Sequence, residues 1–121
     1  MPQVLCHCAT CHKTSGSTNT ISILVPNDAF TITRGSPKSY VHKHESGMTL
    51  ELFFCGKCGS TIWKTAEAPP LMGHTIIEVG TLDGEALDKL KPKREINTAW
   101  RASWLGPLGG IPQSREVEGA S

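Results

Sequence analysis

At 121 residues with 38% hydrophobic content, the chain has the length and composition of a single domain with its own core. Twelve Lys and Arg against eleven Asp and Glu leave a formal net charge of +1, which excludes the basic footprint of a nucleic-acid-binding protein. No apolar run approaches the roughly 18 residues of a membrane span, and residues 1–5 lack the charged start and apolar run of a signal peptide.

In chain order, the first chemistry-bearing stretch is Cys6-His7-Cys8-Ala9-Thr10-Cys11. Residues 13–17 are polar and read as a loop. Residues 20–25 (TISILV) alternate and are rich in β-branched side chains, the pattern of a strand, and the turn signal Pro26-Asn27-Asp28 follows. Residues 29–33 alternate again and predict a second strand, closed by Arg34-Gly35-Ser36-Pro37. Residues 39–44 predict a short strand. Residues 48–54 (MTLELFF) predict the strongest one, which delivers Cys55-Gly56-Lys57-Cys58-Gly59; residues 60–64 then return as its hairpin partner. A loop with two prolines covers 65–73, and a strand is expected over 74–82. One or two helical turns are expected over 85–90, and a last strand within 94–100. The basic cluster at 89–94 is broken by Pro92 and reads as a solvated turn. Short strands separated by turns, with almost no helix, predict a mainly β domain over residues 1–113 and a frayed tail over 114–121.

Cys6, Cys8, Cys11, Cys55 and Cys58 are the only cysteines. An odd count without an export signal points to reduced thiols and a cytoplasmic protein rather than a disulfide framework. Both clusters have metal-ligand spacing, and thiolate sulfur suits zinc. A closed zinc site takes four protein ligands, whereas an open one takes three and leaves a position vacant. Five cysteines therefore allow an open three-cysteine site with an orphan pair, or one closed site with a spare. Cys55-x-x-Cys58 has a rival reading as a redox pair. That motif wants a helix after it, and here Gly59 and a β-rich run follow. His7 and His12 are expected to flank the cluster and face solvent, and His42, His44 and His74 to be surface or hydrogen-bond-satisfied residues rather than ligands. No Ser-His-Asp arrangement or phosphate-binding loop can be placed, so any chemistry would run through the metal, with His7, His12 and His44 as the candidate bases. Arg101 and Trp104 are either substrate contacts or an ion pair and a core aromatic.

Several spaced motifs, in order, resemble one family: Cys6-His7-Cys8-x-x-Cys11-x-Lys13-x-Ser15-Gly16, Leu24-Val25-Pro26, Phe30, Gly35, Phe54-Cys55-Gly56-x-Cys58-Gly59-Ser60, Gly80-Thr81-Leu82-Asp83 and Arg101-x-x-Trp104-Leu105. They are similar to the glutathione-dependent formaldehyde-activating enzymes, a family that also includes centromere protein V. The resemblance runs from about Leu5 to Gln113. It implies a β-tent of antiparallel sheets around zinc, with a catalytic ion on Cys6, Cys8 and Cys11. It also implies a structural ion on Cys55, Cys58 and a further N-terminal Cys-x-Cys, which has no counterpart here. The implied activity is a carbon–sulfur lyase acting on a glutathione–aldehyde adduct or a similar small carbonyl substrate. Two alternatives stand beside it: a zinc enzyme of secondary metabolism that works without glutathione, by dehydration, decarboxylation or ring opening, and a non-catalytic zinc-stabilised binding module. A small-molecule partner, with no nucleic acid and no membrane, is expected. Without the family's N-terminal strands an exposed sheet edge is also expected, and with it a homo-oligomer.

Overall fold

The computed structural model describes residues 3–116. Seven strands form one sheet: β1 (Gln3–Cys6), β2 (Thr20–Pro26), β3 (Lys38–Lys43), β4 (Thr49–Phe54), β5 (Thr61–Ala66), β6 (His74–Glu78) and β7 (Arg94–Ile96). Their spatial order is β3-β4-β5-β6-β2-β1-β7. Every described pairing is antiparallel except β1 with β7. Two short helices, α1 (Ala9–Ser15) and α2 (Ala86–Lys89), complete the frame. The domain is mainly β, as its sequence pattern predicts. No helix among the described residues is long and apolar enough to cross a membrane.

Strand register explains where the interior lies. Leu52 pairs with Lys64, Lys64 with Ile76, and Ile76 with Leu24, which makes one row across four strands. Leu50, two residues before Leu52, pairs with Ala66 on the same face. Leu50, Leu52, Ala66 and Ile76 are buried together, with Leu24, Met48 and Leu71 packed against them. Each such Leu or Ile, fully buried, stabilises the fold by about 1.5–3 kcal/mol. The opposite face carries an aromatic cluster in which Phe53 stacks on Trp63 at 4.7 Å and Phe30 lies 4.8 Å from the same ring.

The structure departs from the sequence reading in three places. Residues 29–33 are not a strand: Asn27–Ala29 is a 3-10 turn and the chain beyond it is irregular. Their alternation has no partner strand to satisfy, and Phe30 is held by its ring contact with Trp63 instead. Residues 13–17 are not a simple loop, because Lys13, Thr14 and Ser15 belong to α1, which ends at Gly16 in the left-handed region (φ 71°) with its N–H donating to the His12 carbonyl at 2.9 Å. Finally, the outer side of β7 is covered rather than open. The Glu95 N–H donates to the Pro112 carbonyl, the Ser114 N–H donates to the Glu95 carbonyl, and the Asn97 N–H donates to the Glu116 carbonyl. The rest of the expected tail, 117–121, lies outside the described residues. The open edge among the described strands is β3, whose Tyr40 and Val41 are exposed.

Candidate metal centre

Cys6, Cys8 and Cys11 reach one point from three different local structures. Cys6 ends β1, its backbone fixed between Thr20 of β2 and Ile96 of β7. Cys8 is the N-cap of α1, its sulfur accepting the Cys11 N–H at 3.3 Å, so a thiol fills the role usually taken by Ser or Asp. Cys11 lies in the first turn of the helix and is fully buried. The three sulfurs all lie within 4.8 Å of one another, with Cys8 and Cys11 3.1 Å apart. The helix start is held from outside by Glu45, in the turn between β3 and β4. Its carboxylate accepts the Ala9 N–H at 2.6 Å and the Thr10 hydroxyl at 2.7 Å, which places negative charge at the helix N-terminus.

Polar donors converge on the sulfurs. The Thr20 hydroxyl donates to Cys11 at 3.0 Å, the Asn97 side-chain amide to Cys6 at 3.2 Å, and the Lys64 ammonium to Cys11 at 3.8 Å. Buried donors aimed at sulfur are what a thiolate set requires, because hydrogen bonds to the charged form favour it. Cys11 is held well below the usual thiol range by hydrogen bonds from Cys6 and Cys8, against the effect of burial, with further help from Lys64 and Thr20. Cys6 is pushed up to about 11, first by its hydrogen bond to Cys11, and Cys8 is pushed up by its bonds to Cys11 and Cys6. Of the three, Cys11 is the sulfur whose charged form its surroundings favour most, since Thr20, Cys8 and Lys64 all turn toward it. Lys64 is the single cation in the apolar row Leu52–Lys64–Ile76. Burial disfavours its charge, but the Cys11 thiolate and Glu78, 3.7 Å away, outweigh that and hold it protonated.

Of the histidines, His7 departs from expectation and does not face solvent. It is buried with Nε2 2.8 Å from Glu95 Oε1, so it anchors the turn between Cys6 and Cys8 from behind. His12 is half-buried, and its Nε2 has no hydrogen-bond partner among the described residues. His44 is the satisfied rather than the surface case, buried beside Cys8 and Glu45 with Ser46 at its Nδ1. Its Nδ1 accepts the Ser46 N–H at 2.9 Å, so the proton of the neutral ring sits on Nε2. Cys8, His44 and Glu45 also bring their ligand atoms within 4.8 Å of one another, and with the proton on Nε2 the His44 ring acts there as a donor. Burial lowers the His44 pKa, with the nearby Glu45 carboxylate opposing.

Sequence reasoning missed Lys64, Glu45, Thr20 and Asn97, whose partners are remote in sequence. Asn97 alone carried a local signal, since it is the one described non-glycine residue with positive φ, at 54°. Asn97→Ala should cost about 1–3 kcal/mol by straining that backbone and removing the bond to Cys6, whereas Asn97→Gly should lose only the hydrogen-bond share of about 1 kcal/mol. Denaturant melts of the metal-free variants check this; equal losses would show that strain is not the cause.

Cys55 and Cys58 sit at the tip between β4 and β5. The Cys55 sulfur accepts the Lys57 N–H at 3.4 Å, the Gly59 N–H donates to the Cys55 carbonyl at 2.8 Å, and Gly59 takes φ 79°. This is the knuckle that the glycines suggest. A hydrogen bond with Ser60 lowers the Cys58 pKa. Among the described residues, no third Cys, His, Asp or Glu joins the pair within ligand reach, and the pair does not join the first cluster. Arg101 makes an ion pair with Glu95 at 3.3 Å, and Trp104 is 75% exposed, so neither is placed at the thiols.

The thiols form the polar end of a cavity of about 330 Å³, at the lower end of the ~300–1,000 Å³ range of small-molecule sites. Lys64 and His44 line it with them, and most of its remaining lining is apolar.

The family model for the glutathione-dependent formaldehyde-activating enzyme matches residues 1–100 of this chain. No curated protein matches it in sequence.

Proposed function

Since the chain belongs to the glutathione-dependent formaldehyde-activating enzyme family, we propose that it is a cytoplasmic zinc enzyme of thiol–carbonyl chemistry, with Cys6, Cys8 and Cys11 holding the ion. The observation that carries this reading is the convergence of three buried thiols at one end of a cavity. The donor set fits zinc, because three sulfurs satisfy three positions of a tetrahedral ion and leave the fourth for a ligand from the cavity. Bound there, zinc supplies a Lewis acid for a carbonyl oxygen or a template for a thiolate.

The chain's own residues do the rest. Thr20 and Asn97 fix two of the sulfurs by hydrogen bonds. Lys64 and His44 line the cavity with the thiols, and Lys64 brings a positive charge beside Cys11, suited to an oxygen that gains electron density as sulfur adds to a carbonyl. In the addition, a C–S bond forms, the C=O π bond breaks, and the thiol proton ends on oxygen, with no change in total oxidation level; the lyase direction is the reverse. The apolar lining lowers the local polarity around these groups, which strengthens each of these interactions.

The reading is tested by loading the protein with zinc, measuring metal per chain, and following thiol–aldehyde exchange by two-dimensional exchange NMR. Faster formation and breakdown of the hemithioacetal than in buffer is expected. Zinc bound at the cluster with no acceleration for any thiol–aldehyde pair would leave a binding module and remove the enzyme reading.

A further inference from the structure

The cavity's composition narrows what it encloses. Its lining contains no Asp or Glu side chain. Leu24, Met48, Leu50, Leu71 and Ile76, all members of the main core cluster, reach the surface of the cavity as one continuous apolar wall. Two cations line it, Lys64 and Arg94, and both are already engaged. Lys64 lies between the Cys11 sulfur at 3.8 Å and Glu78 at 3.7 Å, and Arg94 has an interaction of its own.

Glutathione carries two carboxylates and an ammonium group. Enclosed here, the ammonium would find no carboxylate among the described lining residues, the nearby Glu78 and Glu45 being engaged by Lys64 and by the start of α1, and the two carboxylates would compete for cations that have partners. A buried charge left without a partner disfavours binding strongly. An uncharged molecule with an apolar body meets none of these costs. Its body covers the wall, and one carbonyl oxygen reaches the polar end, where the Lys64 ammonium, the His44 Nε2–H and the thiols stand together. Resting on the reading of the thiols as a zinc site, we infer that the enclosed substrate is a small, uncharged carbonyl compound with an apolar body, and that glutathione is not the group the cavity takes in. Any thiol co-reactant then approaches from the cavity's open side.

Acetophenone, 4-acetylbenzoate and glutathione separate the cases, since the first two share a shape and differ by one carboxylate. Each is titrated into the zinc-loaded protein and binding is read by saturation-transfer NMR, with zinc per chain measured on the same sample. Acetophenone is expected to bind in preference to the other two. Met48→Glu, which places a carboxylate at the apolar wall, should weaken it by about tenfold or more. Leu71→Trp, which fills the space without adding charge, should also weaken it, and a thermal melt of each variant confirms that it folds. Tighter binding of glutathione than of acetophenone, or acetophenone binding that neither variant changes, overturns the inference. The two readings fail separately. A protein that retains zinc but binds no acetophenone overturns the substrate class and leaves the metal site standing. A protein that binds acetophenone but retains no zinc supports the apolar occupant and overturns the metal site.

Discussion

Glu95→Ala should lower the stability of the metal-free protein by about 3–5 kcal/mol, the cost of removing one partner from a buried charged network. Glu95 is 2% exposed and its two oxygens serve four donors. Oε1 meets His7 Nε2 at 2.8 Å and Arg101 Nη2 at 3.3 Å; Oε2 accepts the Leu108 N–H at 2.7 Å and the Gln113 side-chain amide at 2.6 Å. Arg101 also bonds Gln113 directly. One carboxylate thereby ties the Cys6–Cys8 turn to the C-terminal segment 101–113. In the alanine variant His7, whose Nδ1 has no partner among the described residues, loses its Nε2 bond, and Arg101 loses the one carboxylate that pairs with it among the described residues. Glu95→Gln keeps the shape and one acceptor, and should cost less. Urea denaturation of both variants checks the order; a loss in Glu95→Ala under about 1 kcal/mol, the worth of a single hydrogen bond, would mean that the network is not structural.

The same group sets a pH dependence. Burial works against the Glu95 charge, but the donors from His7, Gln113, Leu108 and Arg101 outweigh it and hold the carboxyl at about 2, against 4.5 for the free group. A folded pKa below the unfolded one means stability that is full above pH 4.5 and is lost as pH falls through that value toward 2. The shift corresponds to about 3 kcal/mol, in line with the mutational cost. In Glu95→Gln this part of the acid sensitivity should disappear.

Much of the frame was legible because it is local. β4, the Cys-x-x-Cys turn and β5 follow from alternation and glycine placement, and Cys6, Cys8 and Cys11 stand out by spacing as candidate ligands, although spacing left open whether two of them join Cys55 and Cys58. What was illegible depends on partners far along the chain. α1 begins at a cysteine cap, and the carboxylate that completes its N-terminus, Glu45, lies 36 residues from Ala9. Lys64 occupies a strand position that reads as solvent-facing, and only the register with Leu52 and Ile76 turns it inward. Residues 29–33 show the opposite error, since alternation without a neighbouring strand cannot make a sheet. His7 looked like a flanking residue because Glu95, which buries it, is 88 positions away.

Cys11→Ser should have the largest effect on metal binding, weakening zinc by more than about 100-fold, the upper end of what loss of an outer-shell partner costs. Serine nearly matches the shape, but its hydroxyl does not supply a thiolate at the position whose surroundings favour the charged form most. A second effect follows from Lys64. With the Cys11 thiol gone, the buried ammonium loses its nearest sulfur and leans on Glu78, whose own carboxyl burial already pushes up against the opposing pull of Lys64. The metal-free variant should therefore also be less stable, by about 1–3 kcal/mol, and Lys64→Met added to Cys11→Ser should recover part of that loss, because it removes the unmatched cation. Zinc competition against a chromophoric chelator reads the first effect, and a double-mutant cycle in urea reads the second. Cys58→Ser is the control, since that exposed thiol stands outside the cluster and its loss should leave the three-cysteine affinity unchanged. Unchanged affinity in Cys11→Ser would exclude Cys11 as a ligand. Additive losses for Cys11→Ser and Lys64→Met would show that the two side chains, 3.8 Å apart, are not energetically coupled.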